Sequence, residues 1–390
     1  MAETDETSGQ AAAPPGEWWQ DWRDRRLPPQ VLHLDTAAAG RSSAGTLRAV
    51  SAHADREATR GAYVAEGEAE PVLEAARADL AGLIGLPPGG LAFVASASAA
   101  LDVLLAVWPL RPGDVAAVVP SEWGPNLAAF ARAGLTVTEL AAHGDGAVDL
   151  AALERFLSQT PPAFVHLTQV ASHRPLVQPV AAAAALCRAA GVPLWVDAAQ
   201  ALGHVDTATG ADVLYATSRK WLTGPRGAGL LAVAPRHWDT LRVQVSPLHR
   251  DALPGAPPVR LLEPAEAHVA GRIGLAAAVA EHLADGPDRV RARLAEVGVM
   301  TREIFGGLTD WRVLPAGGAP SAITALQPTA GQDVRTVRSR LLAEHRILTT
   351  AGLPGRAPRE MTTPLLRVSP HVDCTPASLE RLCDALYAVS

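Results

Sequence analysis

Between Trp195 and Gly229 the chain twice runs through an apolar stretch of strand length and then stops abruptly in polar residues. The first run reads Trp195-Val196-Asp197-Ala198-Ala199-Gln200. The second reads Leu214-Tyr215-Ala216-Thr217-Ser218-Arg219-Lys220 and leads into Gly224-Pro225-Arg226-Gly227-Ala228-Gly229. Continuous apolar runs suit parallel strands covered on both faces, and such strands deliver side chains to the carboxyl edge of a sheet. Two such ends bring Asp197 and Lys220 into one crevice, where open α/β sheets bind ligands. A carboxylate and an amine presented together suit pyridoxal phosphate: the lysine forms a Schiff base with it and the aspartate keeps its pyridine nitrogen protonated. Taken singly, neither residue carries this, since a lysine after a strand is ordinarily solvated and an aspartate there ordinarily caps a helix.

Asp197-x-x-Gln200 after one strand, Ser218-x-Lys220 after the next, and the glycine-rich stretch beyond resemble the class V aminotransferases and cysteine desulfurases of fold type I. The resemblance implies an α/β fold, with a mainly parallel sheet flanked by helices and a smaller C-terminal α/β domain, and pyridoxal 5'-phosphate as cofactor. It also implies roles: Asp197 to the pyridinium nitrogen, Gln200 to the phenolic oxygen, Thr217 and Arg219 to the phosphate, and Lys220 to the imine carbon. Family members commonly have histidine where this chain has Arg219. A guanidinium suits a phosphate well, the ordinary alternative being an ion pair with a nearby carboxylate.

A chain of 390 residues exceeds one ordinary core, so two domains are expected. We read residues 1–16 as a disordered tail, 17–265 as the large cofactor-binding domain, and 266–390 as a connecting helix and small domain. Within 17–30, Trp18, Trp19 and Trp22 mark a short amphipathic helix that packs with the small domain. The formal charge of −6, without a dense Lys/Arg block, points to neither nucleic acid nor a membrane surface. No apolar run is long enough to span a bilayer and the first residues are acidic and polar, so a soluble, cytoplasmic protein is expected. Cys187, Cys374 and Cys383 form neither a disulfide framework nor a metal-ligand spacing, and no metal is expected.

Further candidates lie at the ends of other apolar runs. Leu91 to Val94 leads through Ala95-Ser96-Ala97-Ser98 into a helix, whose free N–H groups suit a phosphate. The Ala97 backbone and Ser98 take that role, the bland alternative being a cap. Val115 to Pro120 leads to Ser121-Glu122-Trp123-Gly124-Pro125-Asn126. In the resembled desulfurases a histidine lies flat on the pyridine ring at the position of Trp123. Indole stacks as imidazole does, but cannot give a proton to a leaving sulfur. Ala163 to Thr168 is another buried strand, followed by His173 and Arg174 as candidate substrate contacts. Tyr63, after Gly61, is a candidate at the active-site mouth, with core packing as its alternative, and Asn126 is a further substrate candidate. Arg367, in the last strand, matches the family's arginine for the substrate α-carboxylate. Its alternative is a structural pair with a carboxylate. Leu47 to Gly85 reads as helical, Ser246 to Pro264 as a long surface loop, Ile347 to Thr350 as one strand, and Ala265 to Ala284 as a long helix.

A cysteine desulfurase needs a nucleophilic cysteine on the loop before the carboxylate arginine, and Ala351 to Pro358 contains none. From Leu32 to about Leu386 the chain resembles the ergothioneine-biosynthesis carbon–sulfur lyases. The strings that carry this are Gly61-Ala62-Tyr63-Val64-Ala65, Gly124-Pro125-Asn126-Leu127, Ala171-Ser172-His173-Arg174, Asp197 through His204, Ser218-Arg219-Lys220-Trp221-Leu222 and Arg367 through Asp373. The resemblance implies hercynylcysteine sulfoxide as substrate and pyruvate, ammonia and a sulfenic acid as products, the last reduced by a thiol. It also implies a homodimer. A sulfenate leaves without a strong general acid, which agrees with Trp123. The imidazole part of the substrate is expected near Tyr63, His173 and the loop after Ser246. A desulfurase, a transaminase, an epimerase and a degenerate binding protein on the same scaffold remain as alternatives.

Overall fold

Apolar runs too long to alternate become the central strands of a seven-stranded sheet in the computed structural model, which describes residues 18–315 and 318–389. In chain order the strands are β1 (Leu32–His33), β2 (Leu91–Val94), β3 (Val115–Val118), β4 (Thr136–Glu139), β5 (Phe164–Thr168), β6 (Leu194–Asp197), β7 (Val213–Thr217), β8 (Gly229–Val233), β9 (Trp311–Val313), β10 (Thr324–Pro328), β11 (Ile347–Leu348), β12 (Thr350–Gly352) and β13 (Leu365–Val368). The large sheet has the order β2-β8-β7-β6-β5-β3-β4, with every neighbour parallel except β8, which is antiparallel to both β2 and β7. β5 to β8 are buried along their whole length, as strands with helices on both faces must be. Alternate residues enter two cores: Val165, Leu167, Val196 and Leu214 pack on one side, Phe164, Trp195, Val213 and Tyr215 on the other. β4 lies at the sheet edge and is partly exposed, as its mixed Thr/Val/Glu composition requires.

A second sheet, antiparallel, has the order β12-β13-β10-β9, and β1 pairs in parallel with β11. All strands of the large sheet precede residue 266 and all strands of the antiparallel sheet follow it. On that basis we propose the division at 265/266; the tail at 1–16 lies outside the described residues. The helix Trp18–Asp24 and the turn after it face the C-terminal half, with Trp22 stacked on His371 at 4.3 Å and Arg26 2.7 Å from Glu281.

Four local expectations change. The helical stretch from Leu47 to Gly85 is two helices, Ala44–Arg60 and Ala62–Ile84, broken at Gly61 with φ 92°, a backbone that favours glycine. Inside the expected loop Ser246 to Pro264 the Ser246 hydroxyl accepts from His249 N and starts a short helix, Pro247–Ala252. The connecting helix is Val269–Asp285, starting four residues late. Ile347 to Thr350 is not one strand, because Thr349 separates β11 from β12 and the two join different sheets.

Candidate active site

Lys220 follows β7 by three residues, on a turn held from two sides. Ser218 N donates to Ala228 O at 3.1 Å and Gly224 N to Ser218 O at 3.0 Å, while Gly40 N donates to Arg219 O at 2.7 Å. The approach of Gly40 is so close that a Cβ there would lie 2.4 Å from Lys220 O, so only glycine fits. This turn, the ends of β5 and β6 and residues of the antiparallel sheet enclose a cavity of about 270 Å³. It brings together Asp197, Lys220, Gln200, Thr217 and Arg219 from the two organising runs, Ala97 and Ser98 from the helix start, and Trp123, Asn126 and Arg367.

Asp197 is held on both oxygens. Its Oδ1 accepts from Ala199 N at 2.8 Å and its Oδ2 from Asn126 Nδ2 at 3.0 Å. Asn126 Nδ2 also donates to Glu122 Oε1 at 2.9 Å, so Asn126 orients Asp197 as well as lining the cavity. Glu122 is fully buried and collects Thr168 Oγ1 and Trp123 N, each at 2.8 Å. Burial keeps the Tyr215 hydroxyl protonated, with its oxygen hydrogen-bonded to His166 Nε2 at 2.8 Å, and His166 Nδ1 is 2.8 Å from Glu122 Oε2. Burial pushes the Glu122 carboxyl up, but His166 and the other donors outweigh it and hold the group below the usual carboxylate range.

Burial pulls the Lys220 ammonium down to about 7; Asp197 opposes this, and Arg219, Arg367 and Arg356 add to it. Arg219 makes no ion pair with a described residue, which leaves its guanidinium open to an anion. Ser96 Oγ accepts from Ala99 N and Ser96 O from Ala100 N, so the N–H groups of Ala97 and Ser98 have no intrahelical acceptor. Gln200 Nε2 donates to Ala37 O at 2.8 Å and its Oε1 accepts from Trp221 Nε1 at 2.9 Å, leaving one amide hydrogen for a ligand. Arg367 lines the cavity and also has the carboxylate partner of its structural alternative: Asp35 Oδ1 lies 3.0 Å from Nη2, and Nη1 donates to Ser172 O at 2.7 Å.

Three sequence candidates lie outside the cavity lining. Tyr63 stands 84% exposed near the start of the helix Ala62–Ile84. His173 is buried and turned toward Glu360, 3.4 Å away, and Arg174 pairs with Glu360 and donates to Asp145 O at 2.6 Å. Arg174 is occupied by protein groups, whereas His173 faces Glu360 without a hydrogen bond at either ring nitrogen. Sequence reasoning missed Arg356, which lines the cavity with its guanidinium 5.1 Å from the Trp123 ring centroid, and it missed the relay through Glu122. A buried glutamate directly after an apolar strand is the one signal that pointed to Glu122. Arg356, in a Pro-Gly turn, has no such signal.

The family described as aminotransferase class-V matches residues 33–250. A probable hercynylcysteine sulfoxide lyase of Mycobacterium tuberculosis (strain CDC 1551 / Oshkosh) is 46% identical over 97% of this chain and 96% of its own length. The chain belongs to the class V aminotransferase family. The isopenicillin N epimerase of Amycolatopsis lactamdurans is 28% identical over 95% of this chain and 98% of its own length. In fold, the cysteine desulfurase of Thermococcus onnurineus NA1 superposes with a TM-score of 0.82 at 21% identity, covering 95% of this chain and 98% of that one. The fold is therefore that of the pyridoxal-phosphate enzymes of fold type I, and pyridoxal phosphate is the cofactor. The cavity fits it: an amine brought down to about 7, a fixed carboxylate, and an unpaired guanidinium beside an open helix start complement an aldehyde, a ring nitrogen and a phosphate.

Proposed function

We propose that this class V enzyme is a β-eliminating carbon–sulfur lyase that cleaves hercynylcysteine sulfoxide to pyruvate, ammonia and a sulfenate, which an external thiol reduces to ergothioneine. The observation that carries the reading is the cavity lining, which joins Lys220, Asp197, Trp123 and Arg367 and includes no cysteine. Burial pushes the Cys187 and Cys374 thiols up to about 12 and Cys383 to about 11, so none is the ready thiolate that a persulfide route needs. The 46% identity to the mycobacterial relative supports the same reading.

When bound, pyridoxal phosphate supplies the electron sink that makes an amino acid's Cα–H bond breakable. Arg219 and the N–H groups of Ala97 and Ser98 would hold its phosphate, Asp197 a proton at its ring nitrogen, and Trp123 one face of its ring. Arg367 orients the substrate α-carboxylate through the N–H groups that Asp35, Thr350 and Ser172 leave free. Lys220 Nζ, whose ammonium burial brings down to about 7, removes the α-proton. As Cβ–S breaks, its electron pair leaves on sulfur as a sulfenate, and the three-carbon fragment takes up water to give pyruvate and ammonia. Trp123 offers no acid and the oxidised leaving group requires none. Two thiols, becoming a disulfide, then reduce the sulfenic acid with loss of water.

The purified protein given hercynylcysteine sulfoxide is expected to release pyruvate, and Lys220→Ala to lower that rate by at least about 10²–10⁴-fold. Alanine and sulfide from free cysteine, with no pyruvate from the sulfoxide, would return the chain to the desulfurases. No helix among the described residues is long and apolar enough to cross a membrane. With this reading goes a cytoplasmic homodimer, for which light scattering at twice the 40.6 kDa chain mass is the check.

A further inference from the structure

The cavity lining carries four cationic side chains, Arg219, Lys220, Arg356 and Arg367, against one carboxylate, Asp197. Asp35 neutralises Arg367 from 3.0 Å, a cofactor phosphate suits Arg219, and Lys220 has Asp197 as its counter-charge. Arg356 is left over. Its side chain has no hydrogen bond or ion pair with a described residue, and its Nε is buried without a partner. An unpaired buried donor on a charged group is costly, which is how sites await an anion.

Its placement is constrained by packing. The turn Pro354–Arg356 meets the start of the helix Gly124–Arg132 so closely that a Cβ on Gly124 would lie 2.2 Å from Gly355 O. That contact sets the Arg356 guanidinium 5.1 Å from the Trp123 ring centroid. A guanidinium lying on an aromatic face keeps its N–H edge free for an oxygen. Burial, and after it the charge of Arg367, lower Arg356 to about 10 against the opposing charge of Asp35, so it stays cationic at neutral pH.

We infer that Arg356 is a second oxyanion-binding arginine of the substrate site, taking a negatively charged substrate oxygen beside Arg367. That oxygen belongs either to the α-carboxylate, shared between the two arginines, or to the sulfur, where charge accumulates as Cβ–S breaks and the electron pair departs on the sulfenate. The identity of the substrate rests on the lyase reading; the unpaired charge does not.

The test uses the holoenzyme and its Arg356→Gln and Arg356→Lys variants. Binding of hercynylcysteine, its S-oxide and the decarboxylated thioether amine is followed by the cofactor's visible absorbance, and kcat and KM for pyruvate from the S-oxide are measured alongside. If the carboxylate is the ligand, Arg356→Gln weakens thioether and S-oxide binding alike by about 10- to 100-fold, the span of a charge-assisted hydrogen bond, and lysine recovers part of it. If the oxygen on sulfur is the ligand, thioether binding is unchanged and kcat/KM for the S-oxide falls by the same span. The amine, which has neither oxygen, binds all three proteins equally in both cases. Binding and turnover within twofold of the parent in Arg356→Gln overturn the inference, as does equal loss of the amine in both variants, which would mark a collapsed turn or a contact with the carboxylate of the hercynine part. Failure of the lyase reading looks different: the parent itself makes no pyruvate, while the binding titrations still report on Arg356.

Discussion

Asp197 does not act alone in the wall of this cavity. Asn126 bridges it to Glu122, and Glu122 in turn is fixed by His166 and Thr168. Glu122→Gln keeps the shape but turns one acceptor into a donor facing Asn126, Thr168 or His166. We expect a loss of about 1–3 kcal/mol in stability, read from the denaturant midpoint, together with faster loss of pyridoxal phosphate on dialysis. Unchanged cofactor retention would show that Asp197 needs no such support. Lys220 has its own signature. Its amine is lowered to about 7, so it is charged below that pH and neutral above. The rate at which apoenzyme recaptures pyridoxal phosphate should therefore rise with pH and level off above about 7. A lysine at the ordinary 10.5 would keep accelerating through pH 10.

Elements meet at the site through backbone rather than through side chains alone. The segment after β1 leaves the β1–β11 pair, hydrogen-bonds to Ser369 through Thr36 N at 2.9 Å, and reaches the Lys220 turn at Gly40. That segment ties the large sheet to the antiparallel one across the cavity. Gly40→Ala would push a methyl to 2.4 Å from Lys220 O and 2.8 Å from Thr223 Cγ2. Overpacking of this kind costs about 1–3 kcal/mol, and because the displaced atoms carry Lys220, turnover should fall further than stability does. Turnover and melting temperature measured together would separate the two effects, and an unchanged kcat would show that the turn moves freely.

The whole molecule contains a column of stacked rings in which Trp22 lies on His371 at 4.3 Å, His371 faces Trp221 at 6.1 Å, and Trp221 lies on His204 at 3.8 Å. It joins the N-terminal helix, the turn after Lys220 and the end of β13. Burial lowers His204 to about 4 and His371 well below 6.5, and it lowers the nearby His282 to about 4. The unfolded chain binds these protons more readily than the folded one, so their stability contribution is complete above pH 6.5 and is lost as pH falls toward 4. The slope is on the order of 1.4 kcal/mol per pH unit for each histidine. Urea midpoints at pH 7.5 and pH 5 should differ accordingly; equal midpoints would mean that these imidazoles accept protons without unfolding.

Buried parallel strands write themselves into a sequence as unbroken apolar runs with abrupt polar ends. That is why the α/β class, the cavity at the ends of β6 and β7, and Asp197 and Lys220 were legible by residue alone, whereas the roles given to Gln200, Thr217 and Arg219 came from the resemblance to the family. Arg367 was legible as a strand arginine, though not that Asp35 would already hold it. Periodicity says nothing about which side chain claims which partner across the fold. His173 and Arg174 follow an apolar strand as good ligand candidates do, yet Glu360, more than 180 residues later, takes both. Arg356 sits in a turn that carries no pattern, and only the contact between Gly124 and Gly355 brings it onto Trp123. The sequence by itself determined the strands and the chemistry at their ends, because burial on both faces constrains every residue of a run. Only the tertiary structure decided which charges remain unpaired in the cavity, because that depends on which distant segments pack closely enough to neutralise one another.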